Sequence, residues 1–244
     1  IESIAPPYMA ESWDNVGLLC GRKDRQVTKI LVALDPFAHV CREAKELGAE
    51  LIITHHPLIF GGVKKISPQN QLGRIIYKAV QHNIAIYAAH TNMDKAAGGV
   101  SSIMADKLHM QERETLTPDN FGIVGTLPQS METEEFVKFV KMAFGAGYVR
   151  TSKPLGGKIS RVAVCGGSGK SFIGSAMEKG AQVYVTGDIS YHEFYAEEGF
   201  MLVDIGHYSS EYGIVDVFAN ILCKNFPNFA VSISTKNNNP IYYY

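Results

Sequence analysis

No two cysteines in this sequence stand in a C-x-x-C arrangement. Cys20, Cys41, Cys165 and Cys223 are scattered over 244 residues, which argues against a zinc knuckle and a disulfide framework. They read instead as small buried hydrophobes in a reducing compartment, so a cytoplasmic location is expected. Charge of one sign is also missing: 23 basic residues face 24 acidic ones, and neither nucleic acid nor an anionic membrane gains a bulk electrostatic attraction. No apolar run reaches the ~18 to 20 residues of a membrane helix. The chain opens on Ile1 rather than methionine, which leaves a start further upstream and a removed targeting segment both open.

Short β-branched runs are plentiful. "KILVALD" (29–35), "ELIITHH" (50–56), "IAIYAAH" (84–90), "RVAVCGG" (161–167), "QVYVTGD" (182–188) and "MLVDIGH" (201–207) are apolar on both faces, as strands covered by helices on both sides must be. Helical stretches alternate with them: "HVCREAKELG", "NQLGRIIYKAVQHN", "SFIGSAMEKG" and "HEFYAEEGF", most closing near Gly or Asn. The fold class is therefore α/β, with two lobes of largely parallel sheet. The expected division is an N-terminal lobe at 1–107, a connecting segment at 108–157 and a C-terminal lobe at 158–244. Within the connector, "METEEFVKFVKMAFG" reads as an amphipathic helix capped by Thr133.

"VAVCGGSGKS" ends like a phosphate loop, but G-x-x-x-x-G-K-[ST] needs a glycine at position 164, which is Val164. A tight strand-to-helix turn is the better reading, with an anion site at the following helix as a weaker one.

Chemically capable residues gather where strands end: Asp35, His55, His56, His90, Asp188 and His207. Ligands of open parallel sheets bind at those carboxyl ends. Adjacent histidines in extended chain point to opposite sides, so His55 and His56 suit one ligand for each of two ions. "HTNMD" and "HYSSE" add His90 with Asp94 and His207 with Glu211, each four apart and able to share a helical face. Two ions with about three protein ligands each are met by His55, His56, Asp94, His207 and a bridging Glu211. His90 is then a further ligand or a group that orients one. Imidazole and carboxylate ligands suit Zn, Mn, Fe or Ni.

"ESWDNVGLLCG", "IITHHPLIF", "IYAAHTNMD", "RVAVCGGSGKSFI", "VYVTGDISYHEF" and "VDIGHYSSE" resemble, in order and form, the Nif-three-like family, whose bacterial members are labelled GTP cyclohydrolase I type 2 homologues. The resemblance covers nearly the whole chain. It implies two divalent metal ions per chain, bound between two α/β lobes at the C-terminal ends of strands, with His55, His56, Asp94, His207 and Glu211 as ligands. It also implies a homohexameric ring with the sites facing an inner cavity. Many relatives carry an inserted domain between the lobes; here "HMQERETLTPDNFG" crosses that region in a few residues, so the chain is either a short member or lacks an insert.

The chemistry expected of such a site is metal-assisted hydrolysis of a nucleotide-like or phosphorylated substrate. His90 and Glu211 are the catalytic candidates, with Asp188 a further proton-handling group and Asp14, Asn15 and His192 candidates for the site wall. A metal carrier or regulatory interaction protein is the alternative. Trp13, the only tryptophan, is expected to pack in a core or an interface, and the terminal "NNNPIYYY" to tuck against a neighbouring lobe or subunit.

Overall fold

The structure, a computed structural model, describes residues 1–242. The chain runs through β1 (Gly17–Cys20), β2 (Lys29–Ala33), α1 (Ala38–Leu47), β3 (Leu51–Thr54), α2 (Gln71–Gln81), β4 (Ala85–Ala88) and α3 (Thr91–Lys95). It continues through α4 (Val100–Lys107), β5 (Gln111–Thr115), β6 (Ile123–Glu132), α5 (Thr133–Ala143), β7 (Arg150–Thr151), β8 (Lys158–Ser168), α6 (Ile173–Glu178), β9 (Val183–Gly187), β10 (Met201–Asp204) and α7 (His207–Glu211). It closes with α8 (Ile214–Asn225) and β11 (Ala230–Ile233). Among the described residues no helix is long and apolar enough to cross a membrane.

Two compact units emerge. The first comprises Ile1–Met93 and Ile214–Pro240, the second Asp94–Gly213 with Ile241 and Tyr242. The division differs from the linear one expected. The 108–157 stretch supplies β5, β6, α5 and β7, three of them strands of the second sheet, and residues 214–240 return to the first unit. A strand finds its partner by backbone hydrogen bonding in space: β11 pairs in parallel with β2, from Ala230 against Lys29 to Ile233 against Val32. Nothing in the local sequence announces that return.

The first sheet has the order β1-β4-β3-β2-β11 and is parallel except for β1 against β4. Leu31, Ile52 and Ile86 on its strands meet Val40 and Ala44 of α1 and Ile75, Ile76 and Ala79 of α2 in one core. α1 ends where Gly48 turns left-handed, φ 67°, and α2 begins on Asn70, whose side chain accepts from the Gly73 N–H at 2.6 Å.

The second sheet, β5-β6-β8-β9-β10-β7, is mixed rather than largely parallel: only β8, β9 and β10 run parallel. Its core gathers Leu116, Val124, Ala163, Tyr184 and Leu202. "HEFYAEEGF" forms a single 3-10 turn at Tyr191–Phe194 rather than an α-helix. Tyr191 and Tyr195 are exposed there, so no apolar stripe holds a longer helix down. Thr133 begins α5 rather than capping it, and its hydroxyl donates to the Leu155 carbonyl at 3.0 Å. Cys41 and Cys165 are buried and Cys223 exposed, all four cysteines being free thiols; burial pushes Cys41 and Cys165 up to about 12.

The chain's return to the first unit is anchored by Glu43 of α1. Its buried carboxylate accepts from the Ser234 hydroxyl, from the Thr235 N–H at 2.9 Å and from the Thr235 hydroxyl at 2.8 Å. Burial raises the pKa of Glu43, but these hydrogen bonds outweigh it and hold the group below its ordinary value. A depressed carboxylate pKa stabilises the fold above the unfolded-state value and loses that contribution as pH falls through the folded one. Glu43→Gln should therefore lower stability by about 1 to 3 kcal/mol at pH 7. The gap from wild type should narrow as pH drops below about 4, read by chemical denaturation at both pH values.

Candidate metal centre

β3 delivers His55 and His56 directly beyond its last residue, Thr54, and β4 delivers His90 two residues past Ala88. The chain bends at 55 and 56 instead of staying extended. The two rings consequently converge, with centroids 5.2 Å apart, where opposite directions were expected. His90 completes a triangle at 5.2 Å from His55 and 5.5 Å from His56. One donor nitrogen from each ring lies within 4.8 Å of the others, so this first-unit cluster can serve a cation.

The Nδ1 atoms are all occupied. His55 Nδ1 lies 2.9 Å from the Ala89 carbonyl, which can only accept, so Nδ1 carries the proton. His56 Nδ1 meets Asp35 at 2.7 Å, and His90 Nδ1 meets Asp14 at 3.0 Å. Nε2 is the opposite nitrogen of each ring, and oxygen partners on Nδ1 are how metal-ligating histidines are oriented and made more basic. Asp35 is itself held: buried Asn237 donates to its carboxylate at 3.3 Å and accepts from its N–H at 2.9 Å and from the Leu34 N–H.

The tripeptide Trp13-Asp14-Asn15 backs the same cluster. Besides His90, the Asp14 carboxylate accepts from the Thr91 N–H at 3.0 Å and the Thr91 hydroxyl at 2.5 Å. Burial works to raise the Asp14 pKa, yet hydrogen bonds from His90 and Thr91 and the His90 charge hold it well below the carboxylate range. Asn15 neither turns nor caps; its amide donates to the Ile59 carbonyl at 2.6 Å. Trp13, expected in a core or an interface, exposes 59% of its surface in this chain.

In the second unit, α7 begins on His207 and ends on Glu211, so the two side chains share a face. His207 Nε2 lies 3.0 Å from Glu211, and Nδ1 lies 2.7 Å from Asp188, just past β9. Burial pulls the His207 pKa down, but the two carboxylates overcome it and raise it to about 11. An imidazole between two carboxylates is a place where a cation can replace a proton. Asp188 adopts a left-handed φ of 53°, a backbone strain that fixes its carboxylate toward His207. Asp94, at the start of this unit, acts with Glu211 on the buried Cys165 thiol: after burial, both carboxylates push that thiol up. His192 lies exposed, its ring against Tyr191.

The glycine turn belongs to this second cluster. Gly167 has φ 61°, and a β-carbon there would overlap the Glu211 carboxylate; one on Gly166 would overlap Val100. Two of the turn's N–H groups are engaged within the unit, Gly167 with the Ser210 hydroxyl at 2.9 Å and Gly169 with the Thr186 hydroxyl at 3.1 Å.

A model of the Duf34/NIF3 (NGG1p interacting factor 3) family matches residues 1–240. The chain belongs to the Duf34/NIF3 family. It is 38% identical over 223 residues to the "GTP cyclohydrolase 1 type 2 homolog" of Clostridium perfringens, covering 88% of this chain and 85% of that relative. It is 34% identical over 251 residues to the like-named protein of Lactococcus lactis, covering 99% and 95%. Among solved structures, a Staphylococcus aureus hypothetical protein superposes with TM-score 0.93 at 32% identity, over 100% of this chain and 96% of that one. The Bacillus cereus protein related to NIF3 gives 0.91 at 26% identity with the same coverage. The Halalkalibacterium halodurans relative aligns over 319 positions, more than this chain has residues, so that NIF3 relative has stretches with no counterpart here.

Asp35, Asp14 and Asn237 were not assigned to the ligand set from the sequence; Asp35 at a strand end and "WDN" before β1 were the available signals, and Asn237 had none. Asp35→Ala should weaken divalent-metal affinity about 10- to 100-fold with an unchanged circular dichroism spectrum, measured by competition with a chelating dye. Gly167→Ala should displace Glu211 and lower metal retention, whereas Lys170→Ala should leave it at the wild-type level.

Proposed function

We propose that this chain binds two divalent ions and hydrolyses a nucleotide-like or phosphorylated substrate. The reading takes His55 and His56 as ligands from the first unit and Asp94, His207 and Glu211 from the second. It rests above all on one observation: His55, His56, His90 and His207 are each gripped at Nδ1 by an oxygen, the arrangement in which metal-ligating histidines are oriented. The donor set, imidazoles with carboxylates, fits Zn, Mn, Fe or Ni. The names of the Clostridium and Lactococcus relatives agree with a nucleotide-like substrate.

Bound divalent ions supply a water acidified to a pKa of about 7 and a Lewis acid for a substrate oxygen. The chain's own part is proton handling. Asp14, held below its ordinary pKa, remains ionised at neutral pH and keeps the His90 proton on Nδ1. His90 Nε2 is then a base within reach of the His55 and His56 donors. Glu211, buried on α7, is the second catalytic group and a ligand at once.

Elemental analysis of protein purified without chelator should find about two ions per chain. His56→Ala combined with Glu211→Gln should lose them. His90→Ala should retain metal yet reduce hydrolysis of phosphoesters or GTP by about 100-fold or more. Wild-type protein that neither carries metal nor takes up added Zn or Mn would end this reading. Exchangeable metal with no turnover would favour a carrier.

A further inference from the structure

Two large aromatic side chains stand exposed beside the histidine triangle of the first unit. Trp13 exposes 59% of its surface and Phe60 54%; other large side chains of this unit, Tyr8 and Tyr77 among them, are exposed too, but these two stand against the site histidines. Both border the same ring: Trp13 lies 6.1 Å from His90 at 76°, and Phe60 lies 5.7 Å from it at 84°. Neither arrangement is accidental drift of a loop. Asp14, next to Trp13, is bonded to His90, and Asn15 is bonded to the carbonyl of Ile59, next to Phe60. The three consecutive residues 13–15 therefore fasten both aromatic-bearing segments around one imidazole.

A merely structural pair of aromatics would gain about 1.5 to 3 kcal/mol each by going under cover. Here they are pinned where water reaches them, at the rim of a cluster whose histidines are nearly covered: the His90 and His56 side chains expose only 13% and 15%. Exposed aromatic rings beside the histidine nitrogens suit a flat ring, since every heteroaromatic base offers a π-face for stacking.

We propose that Trp13 and Phe60 are ring-binding residues that hold a planar heteroaromatic group of the substrate beside His90. This inference rests on the reading of the histidine cluster as a reaction site and narrows its substrate to one that carries such a ring. Trp13 and Phe60 bind the ring face, and Asp14 and Asn15 act as positioning residues that set their spacing.

Because Trp13 is the sole tryptophan, it reports its own contacts. The metal-loaded protein is titrated with guanosine 5′-monophosphate and, separately, with ribose 5-phosphate, which has the phosphate and sugar but no base. The nucleotide should quench Trp13 fluorescence saturably and the sugar phosphate should not. By calorimetry, Phe60→Leu and Trp13→Leu should each weaken nucleotide binding about 5- to 150-fold, with metal content unchanged. Equal binding of both probes, no binding of the nucleotide, or wild-type affinity in both variants would overturn the proposal. Ring binding by wild-type protein that neither carries metal nor takes up added Zn or Mn would end the dinuclear reading and leave this one standing; full metal content without ring binding would do the reverse.

Discussion

An oxygen on Nδ1 of each site histidine is the constraint from which the other features of the centre follow. A neutral imidazole has one donor and one acceptor nitrogen, and a partner that only accepts decides which is which. The Ala89 carbonyl makes that choice for His55, and Asp35 and Asp14 make it for His56 and His90, while His207 is held between the carboxylates of Asp188 and Glu211. A fixed partner on Nδ1 also fixes the ring plane, so Nε2 is aimed.

Such a grip has to be supported from behind. In the first unit the support comes from distant parts of the chain: Asn237, beyond β11, braces Asp35, while Thr91 braces Asp14. β11 lies beside β2 and Glu43 ties down the residues that follow it, so the edge of the sheet becomes part of the centre's scaffold. Parallel strands end at a common level, and short loops leaving those ends bring His55 and His90, 35 residues apart, into ring contact.

The second unit solves a different packing problem. Glu211 needs room for a buried carboxylate, and the turn at 166–167 supplies it by having no β-carbons. The glycines of "GGSGKS" thus give clearance for a carboxylate, and the N–H groups of Gly167 and Gly169 go to Ser210 and Thr186. The neighbouring lysine takes no part in that clearance.

The local sequence by itself determined the strands β2, β3, β4, β9 and β10 and the central part of β8, because β-branched runs apolar on both faces have few other places to go. It also determined that His55, His56, His90, Asp188 and His207 stand beyond strand ends, since position along a strand is a local property. Only the tertiary structure decided the rest. The bend at 55–56 that turns the two rings together is accompanied by a backbone contact just past β2, His56 N–H to the Leu34 carbonyl at 2.9 Å. The return of β11, the antiparallel half of the second sheet and the bracing by Asn237 pair residues far apart in sequence. Those pairings are set by which hydrogen-bonding edges and apolar faces meet in space, and no window of neighbouring residues carries that information.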